Sequence, residues 1–397
     1  MANTLKFGDG QWATKYGSTL AYNDENGNFK PLPFLFERRG NATRVNKEGL
    51  IEIVGENIPR IDYLNDSNGA LLLEPSRTNI TYPSENFSNQ LQGASATFGT
   101  LISPDGTLNG STIASTADGA YKGWHETYSL TDDTYTFSMF VKYYNSQWIS
   151  IYRIGQAISR FDVKNGVFGN NPSNLKSVNY GNGWYRLEFT FTAASGTNWL
   201  YIYPSSDTGE TSSAGDGLYI WGGQLEQGSY ATSYIKTTSA AVTRLADVCS
   251  QTPPDGVIGQ TEGVLYCEVD VKSGYDTNNL MVTLSNGTNL KQIYINRSNG
   301  KLEFFVGTNL NEMLYVSPSV LSSGIHKLAL AYKQDDFAVA IDGVIAHTDN
   351  SGNVPTCNKI NVGSHYNENL PFNDRVNNVK LYNTRLSNSE LAALTQV

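Results

Sequence analysis

Tyr185-Arg186-Leu187-Glu188-Phe189-Thr190-Phe191-Thr192 is the stretch that decides the fold class. In an extended chain Tyr185, Leu187, Phe189 and Phe191 fall on one side, while Arg186, Glu188, Thr190 and Thr192 face solvent on the other. That period of two is the pattern of a half-buried antiparallel strand. Tyr135-Thr136-Phe137-Ser138-Met139-Phe140-Val141 repeats it, with Tyr135, Phe137, Met139 and Val141 on one face. Leu265-Tyr266-Cys267-Glu268-Val269-Asp270-Val271 and Leu328-Ala329-Leu330-Ala331-Tyr332 follow the same style, as does Phe337-Ala338-Val339-Ala340-Ile341, which runs into the hairpin dipeptide Asp342-Gly343. The one confident helix is a terminal turn or two opened by the capping box Ser387-Asn388-Ser389-Glu390.

A chain of 397 residues is long enough for two or three domains, each with its own core. Its 37 Gly and 24 Tyr, with only 16% charged residues, suit sheets joined by polar turns. The predicted class is all-β: two β-sandwich (jelly-roll) domains in tandem, over 83–248 and 257–397, after an irregular N-terminal segment over 1–82. That segment is turn-rich and poor in core residues, so it is expected to need a partner or a neighbouring domain. The boundary between the sandwiches is placed at Thr252-Pro253-Pro254-Asp255-Gly256, because consecutive prolines remove backbone donors and Asp-Gly favours a turn.

The formal net charge of −9 and the lack of a dense Lys/Arg run argue against nucleic acid and for a neutral polar partner. No stretch approaches the roughly 18 apolar residues of a membrane span, and Met1 to Lys6 show no apolar signal region. The expectation is a chain made in the cytoplasm with no membrane insertion. Cys249, Cys267 and Cys357 are read as buried free thiols, with a Cys267–Cys357 disulfide as the alternative. His125, His326, His347 and His365 lie far apart and fit no zinc motif; His326, alternating with Leu328 and Leu330, reads as a packed strand residue.

Three stretches together resemble bacteriophage tail-fibre and receptor-binding virion proteins. The first is Phe36-Glu37-Arg38-Arg39-Gly40-Asn41-Ala42-Thr43-Arg44-Val45-Asn46, continuing through Pro59-Arg60-Ile61-Asp62-Tyr63 to Leu71-Leu72-Leu73-Glu74-Pro75-Ser76-Arg77-Thr78-Asn79. The second is Ile220-Trp221-Gly222-Gly223-Gln224-Leu225-Glu226-Gln227-Gly228 with Thr243-Arg244-Leu245-Ala246-Asp247, which looks like the closing strand of a carbohydrate-binding-module-like jelly roll. The third, Ala340-Ile341-Asp342-Gly343-Val344 with Val379-Lys380-Leu381-Tyr382-Asn383-Thr384-Arg385-Leu386-Ser387, is similar to the concanavalin A-like (laminin G-like) fold. The resemblance implies a location on the phage particle, made in the host cytoplasm, with host-surface glycan and other virion proteins as partners and a homotrimer as the assembly. Fold analogy does not settle function, so sites are argued from residues.

If Leu200 and Ile202 look inward, alternation sends Trp199, Tyr201 and Tyr203 to the opposite face. Ile149 and Ile151 inward do the same for Trp148 and Tyr152, with Arg153 nearby. Flat aromatic rings suit the apolar face of a pyranose, and Arg153 could bond hydroxyls, so these six are the candidate glycan-binding residues. The alternative is that both faces are buried, one on the other sheet and one on a neighbouring domain or subunit. Trp221 is expected to be structural, with Gln224 and Glu226 bonding locally.

Arg38, Arg39 and Arg44 are the candidates for attachment to the particle, through charge-assisted contacts to a protein. Glu268-Val269-Asp270 begins like the clustered carboxylates of a concanavalin A-like glucanase, but Lys272, Ser273 and Gly274 stand where the next Glu is needed, so no catalysis is expected. No cofactor is required; Asp24 and Asp216 are calcium candidates, although Asx turns account for both. The functional expectation is a non-catalytic adhesin. A purely structural virion component and a glycan-degrading enzyme are the alternatives.

Overall fold

The computed structural model describes residues 3–25, 28–169, 174–206, 211–271 and 279–397. Strands dominate, and Asn388–Leu394 is the only helix among the described residues. Its capping box is formed as the sequence implies: the Ser387 hydroxyl accepts from the Glu390 amide, and the Glu390 carboxylate accepts from the Ser387 amide at 2.8 Å.

The chain divides into two compact units. The first joins residues 1–47 and 53–76 to 245–397; the second is 48–52 with 77–244. The all-β class and its sandwiches are as expected, but the first unit is assembled from both ends of the chain. Leu5–Gly8 pairs antiparallel with Asp374–Tyr382, Ala70–Leu73 pairs with the beginning of that same strand, and Val248–Gln251 pairs with Asn28–Glu37. The N-terminal segment is therefore not an irregular arm. Leu5, Phe7, Phe34, Phe36, Leu71 and Leu73 are buried in one core with Leu265, Val339 and Leu381. Short apolar runs that could not bury a core among themselves do so by completing a distant sheet. The expected boundary shifts for the same reason: Cys249 lies in a strand flanked by Phe36 and Val362, so Pro253-Pro254 ends a strand inside the first unit, and the division falls at Arg244/Leu245.

Cys249, Cys267 and Cys357 are all free and buried. Burial pushes the Cys357 thiol up to about 12 and the other two higher still, so each behaves as a small apolar side chain.

The second unit is a sandwich of two six-stranded antiparallel sheets. One runs, in spatial order, Leu91–Gln92, Gly123–Leu130, Gly196–Ser205, Trp148–Arg153, Ser159–Asp162 and Val167–Phe168; the other includes Gly217–Gln227, Asp133–Tyr143 and Trp184–Ala193. Between them Trp124, Phe137, Met139, Ile149, Ile151, Leu187, Phe189, Leu200 and Ile202 form the core. Arg186 and Glu188, expected on the solvent side, are buried instead. The chain after Gly228 folds back across that face: the Gln224 amide oxygen accepts from the Ile235 amide at 2.6 Å, and Glu226 accepts from the Thr232 amide at 2.9 Å. Trp221 is fully buried there, with its ring 4.5 Å from Tyr234 and 5.2 Å from Phe140. Its structural role and the local bonding of Gln224 and Glu226 match the sequence reading.

Candidate functional site

The opposite face of the sandwich, outside the sheet containing Gly196–Ser205, carries a row of rings. Alternation about Leu200 and Ile202 turns Trp199 and Tyr201 outward, and antiparallel pairing sets Tyr201 beside His125 on one side and Tyr152 on the other. His125, Trp199 and Tyr201 lie within 21° of parallel. Their centroids make a triangle with sides of 5.5, 5.9 and 6.4 Å. A face-to-face column of three rings would put its outer pair about twice as far apart as its neighbours. Three nearly equal separations instead describe a shingled patch lying along the sheet.

Tyr121 walls this patch at one end. It reaches in from the turn before Gly123–Leu130, stacks on Tyr152 at 4.9 Å and 18°, and meets Tyr201 at 5.3 Å. Its backbone sits at φ 60°, a left-handed conformation uncommon for a tyrosine, so the surrounding structure holds the ring in place. Gly123 follows for a plain steric reason: a Cβ there would meet the Ile202 carbonyl oxygen at 2.2 Å.

The six sequence candidates therefore divide. Tyr152, Trp199 and Tyr201 come together, and Trp199 is 37% exposed. Tyr203 is fully buried, its ring edge-on to Tyr121 at 5.7 Å, and serves as foundation for the wall. Arg153 follows Ile149 and Ile151 onto the inner face, where its guanidinium lies over Phe191 and donates to Asn198 Oδ1 at 2.7 Å. It is not available to a ligand on the aromatic face. Trp148 is four residues along its strand from Tyr152, roughly 13 Å away, and packs with the Arg160 guanidinium over its ring.

Tyr121 and His125 were missed. His125 alternates with the inward Trp124 and could have been found from that period; Tyr121, placed by a turn of unusual φ, gives no such signal.

The patch is uncharged. His125 Nδ1 is buried without a hydrogen-bond partner, and burial holds the imidazole below its usual range, so the ring is neutral at pH 7. Glu126, next in the chain, faces the other way; burial pushes its carboxyl up, and the Gln90 amide bonded to it works against that.

The remaining candidates are placed as follows. Arg38 is buried, its guanidinium shared among the Ile58, Val54 and Gly55 carbonyl oxygens and Asp247, so it is closed to a particle partner. Arg60 joins this cluster through Glu74 at 2.7 Å and through Asp247. Arg38, Arg60 and Glu74, which belong to the first resembling stretch, thus form a buried polar cluster of the first unit. Arg39 is exposed and Arg44 half-buried.

Asp270 is held by Arg375 at 2.7 Å, and Glu268 accepts from the Tyr266 hydroxyl at 3.2 Å. Lys272, Ser273 and Gly274 lie outside the described residues. His326 is buried and bonded to Asp342 at 2.6 Å. The Asp216 carboxylate accepts from the Ser213 amide at 2.7 Å, closing a turn, and the Asp24 side chain lies outside what is described. Among the described residues no group of three or more His, Cys, Asp or Glu is gathered as for a metal ion.

No known family profile and no curated protein matches the sequence. Among solved structures, the chain is similar to the carbohydrate-binding module CBM40 of the Ruminococcus gnavus IT-sialidase bound to α2,3-sialyllactose, at 14% identity and a TM-score of 0.31, covering 35% of this chain and 84% of that one. Domain 4 of AbnA, an extracellular arabinanase from Geobacillus stearothermophilus, in complex with arabinotriose, is similar at 15% identity and a TM-score of 0.31, over 42% of this chain and 82% of its own. Domains LG4-5 of the mouse laminin α1 chain align at 12% identity and a TM-score of 0.26, over 76% of this chain and 91% of theirs.

Proposed function

We propose that the chain is a non-catalytic glycan-binding protein of a phage particle surface, and that the aromatic face of the second unit is its recognition surface. The observation that carries this reading is the shingled patch of Trp199, Tyr201 and His125, closed at one end by Tyr121 and Tyr152. Such a patch offers ring faces to the apolar side of a sugar while leaving the hydroxyls free for the rim. The resemblance of the three sequence stretches to tail-fibre and receptor-binding proteins supports the virion setting, where a homotrimer would raise the strength of single sugar contacts by avidity.

The test is a glycan array probed with the full chain, its Trp199→Ala and its Tyr201→Ala variants. Loss of one stacked ring is expected to cost on the order of 1–3 kcal/mol of binding, with the near-ultraviolet circular dichroism otherwise preserved. Binding that survives both substitutions sinks the assignment. Light scattering reports the assembly, and a monomer in solution and on particles removes the trimer from the proposal.

A further inference from the structure

We propose that the aromatic face selects uncharged glycans and discriminates against uronic and sialic acids. This deepens the reading above and rests on it. The floor and wall, Trp199, Tyr201, His125, Tyr152 and Tyr121, carry no formal charge. The exposed residues beside Trp199 are uncharged: Thr127 directly opposite it on one neighbouring strand, Ser129 paired with Thr197, and apolar Ile154 on the other side, whose amide donates to the Trp199 carbonyl oxygen. A hydroxyl donates or accepts, and so matches a sugar hydroxyl either way.

Of the charged groups nearest in sequence, Arg153 and Glu126 are bonded to other side chains. Arg153 is on the inner face with Asn198 and Phe191, and Glu126 is bonded to Gln90. Lys122 runs its stem across Gly93, where an added Cβ would meet the Lys122 Cδ at 2.6 Å. Arg160 lies beneath Trp148 at the far end.

A carboxylate brought onto this floor gives up water and gains no cation from the five rings in return, whereas a neutral pyranose gives up little. The net charge of −9 adds repulsion toward acidic glycans at low salt.

The experiment titrates the full chain with neutral hexose and N-acetylhexosamine oligosaccharides, each paired with its uronic or sialic acid counterpart, at about 50 and 500 mM salt. Neutral members are expected to bind at least about ten-fold tighter, with little salt dependence, and to be lost in Trp199→Ala. Thr127→Arg, which sets a cation opposite Trp199, should raise affinity for the acidic members about five-fold or more, in a salt-sensitive way.

Acidic glycans bound as tightly as neutral ones, in a Trp199-dependent manner, would overturn the selectivity and leave the platform standing. Binding that persists in Trp199→Ala and Tyr201→Ala, or an array on which no glycan is retained, overturns the platform and this inference with it.

Discussion

Replacing Asp247 with Ala asks whether the arginine-rich N-terminal stretch serves the fold. The carboxylate accepts from Arg38 at 3.2 Å, from Arg60, and from the Glu74 amide at 2.9 Å, and both guanidiniums are out of contact with water. Arg38 would keep its carbonyl partners and Arg60 would keep Glu74 and the Thr43 carbonyl oxygen at 3.1 Å, so two cations would stay buried with one anion. Breaking a buried ion pair by removing one partner costs about 3–5 kcal/mol. In a unit of this size each kcal/mol moves the thermal midpoint by about 2–4 °C, so a fall of about 6–20 °C is expected. Scanning calorimetry on the full chain reads it, and Arg60→Met with Asp247→Ala in a double-mutant cycle should show coupling of about 1 kcal/mol or more. A midpoint within about 2 °C of the parent, or additive behaviour in the cycle, would refute the structural role and reopen Arg38 as a contact for a partner.

Trp221→Ala empties the space between Tyr234 and Phe140 and should destabilise the second unit by about 3–5 kcal/mol, read by denaturant titration. A truncation beginning at Asn86 removes the strands that pair with Asp374–Tyr382 and Val248–Gln251, so it should lose the cooperative unfolding transition of the first unit; a truncation that retains it contradicts the pairing. His125 and His365 are both held below the ordinary value of 6.5 by burial, so the unfolded chain takes up their protons first. Stability should therefore be full above about pH 6.5 and decline as pH falls from there toward the lowered folded values. His125→Gln and His365→Gln together should flatten that part of the profile, and a midpoint unchanged between about pH 7 and 5.5 in the parent speaks against it.

Period-two alternation is a local property, and where one face of a strand is buried it dictates which side chains turn inward. Leu200 and Ile202 inward, Trp199 and Tyr201 outward, Ile149 and Ile151 in the core, and the helix cap at Ser387 were all legible from adjacent residues alone. So was the reading of the three cysteines as buried free thiols, since they show no CxxC spacing and a free thiol behaves as a small hydrophobe.

What the other face of a strand meets is not a local property, and there the tertiary structure decided. Arg186 and Glu188 look like solvent residues until the chain after Gly228 folds over them. Arg38 looks like a surface cation until Asp247, 209 residues later, arrives beside it. The N-terminal segment looks coreless because its partners lie at the other end of the chain. The aromatic face divides along the same line: alternation placed Trp199, Tyr201 and Tyr152 on it, while only the pairing of Gly123–Leu130 with Gly196–Ser205, and the left-handed turn at Tyr121, brought His125 and the wall that complete it.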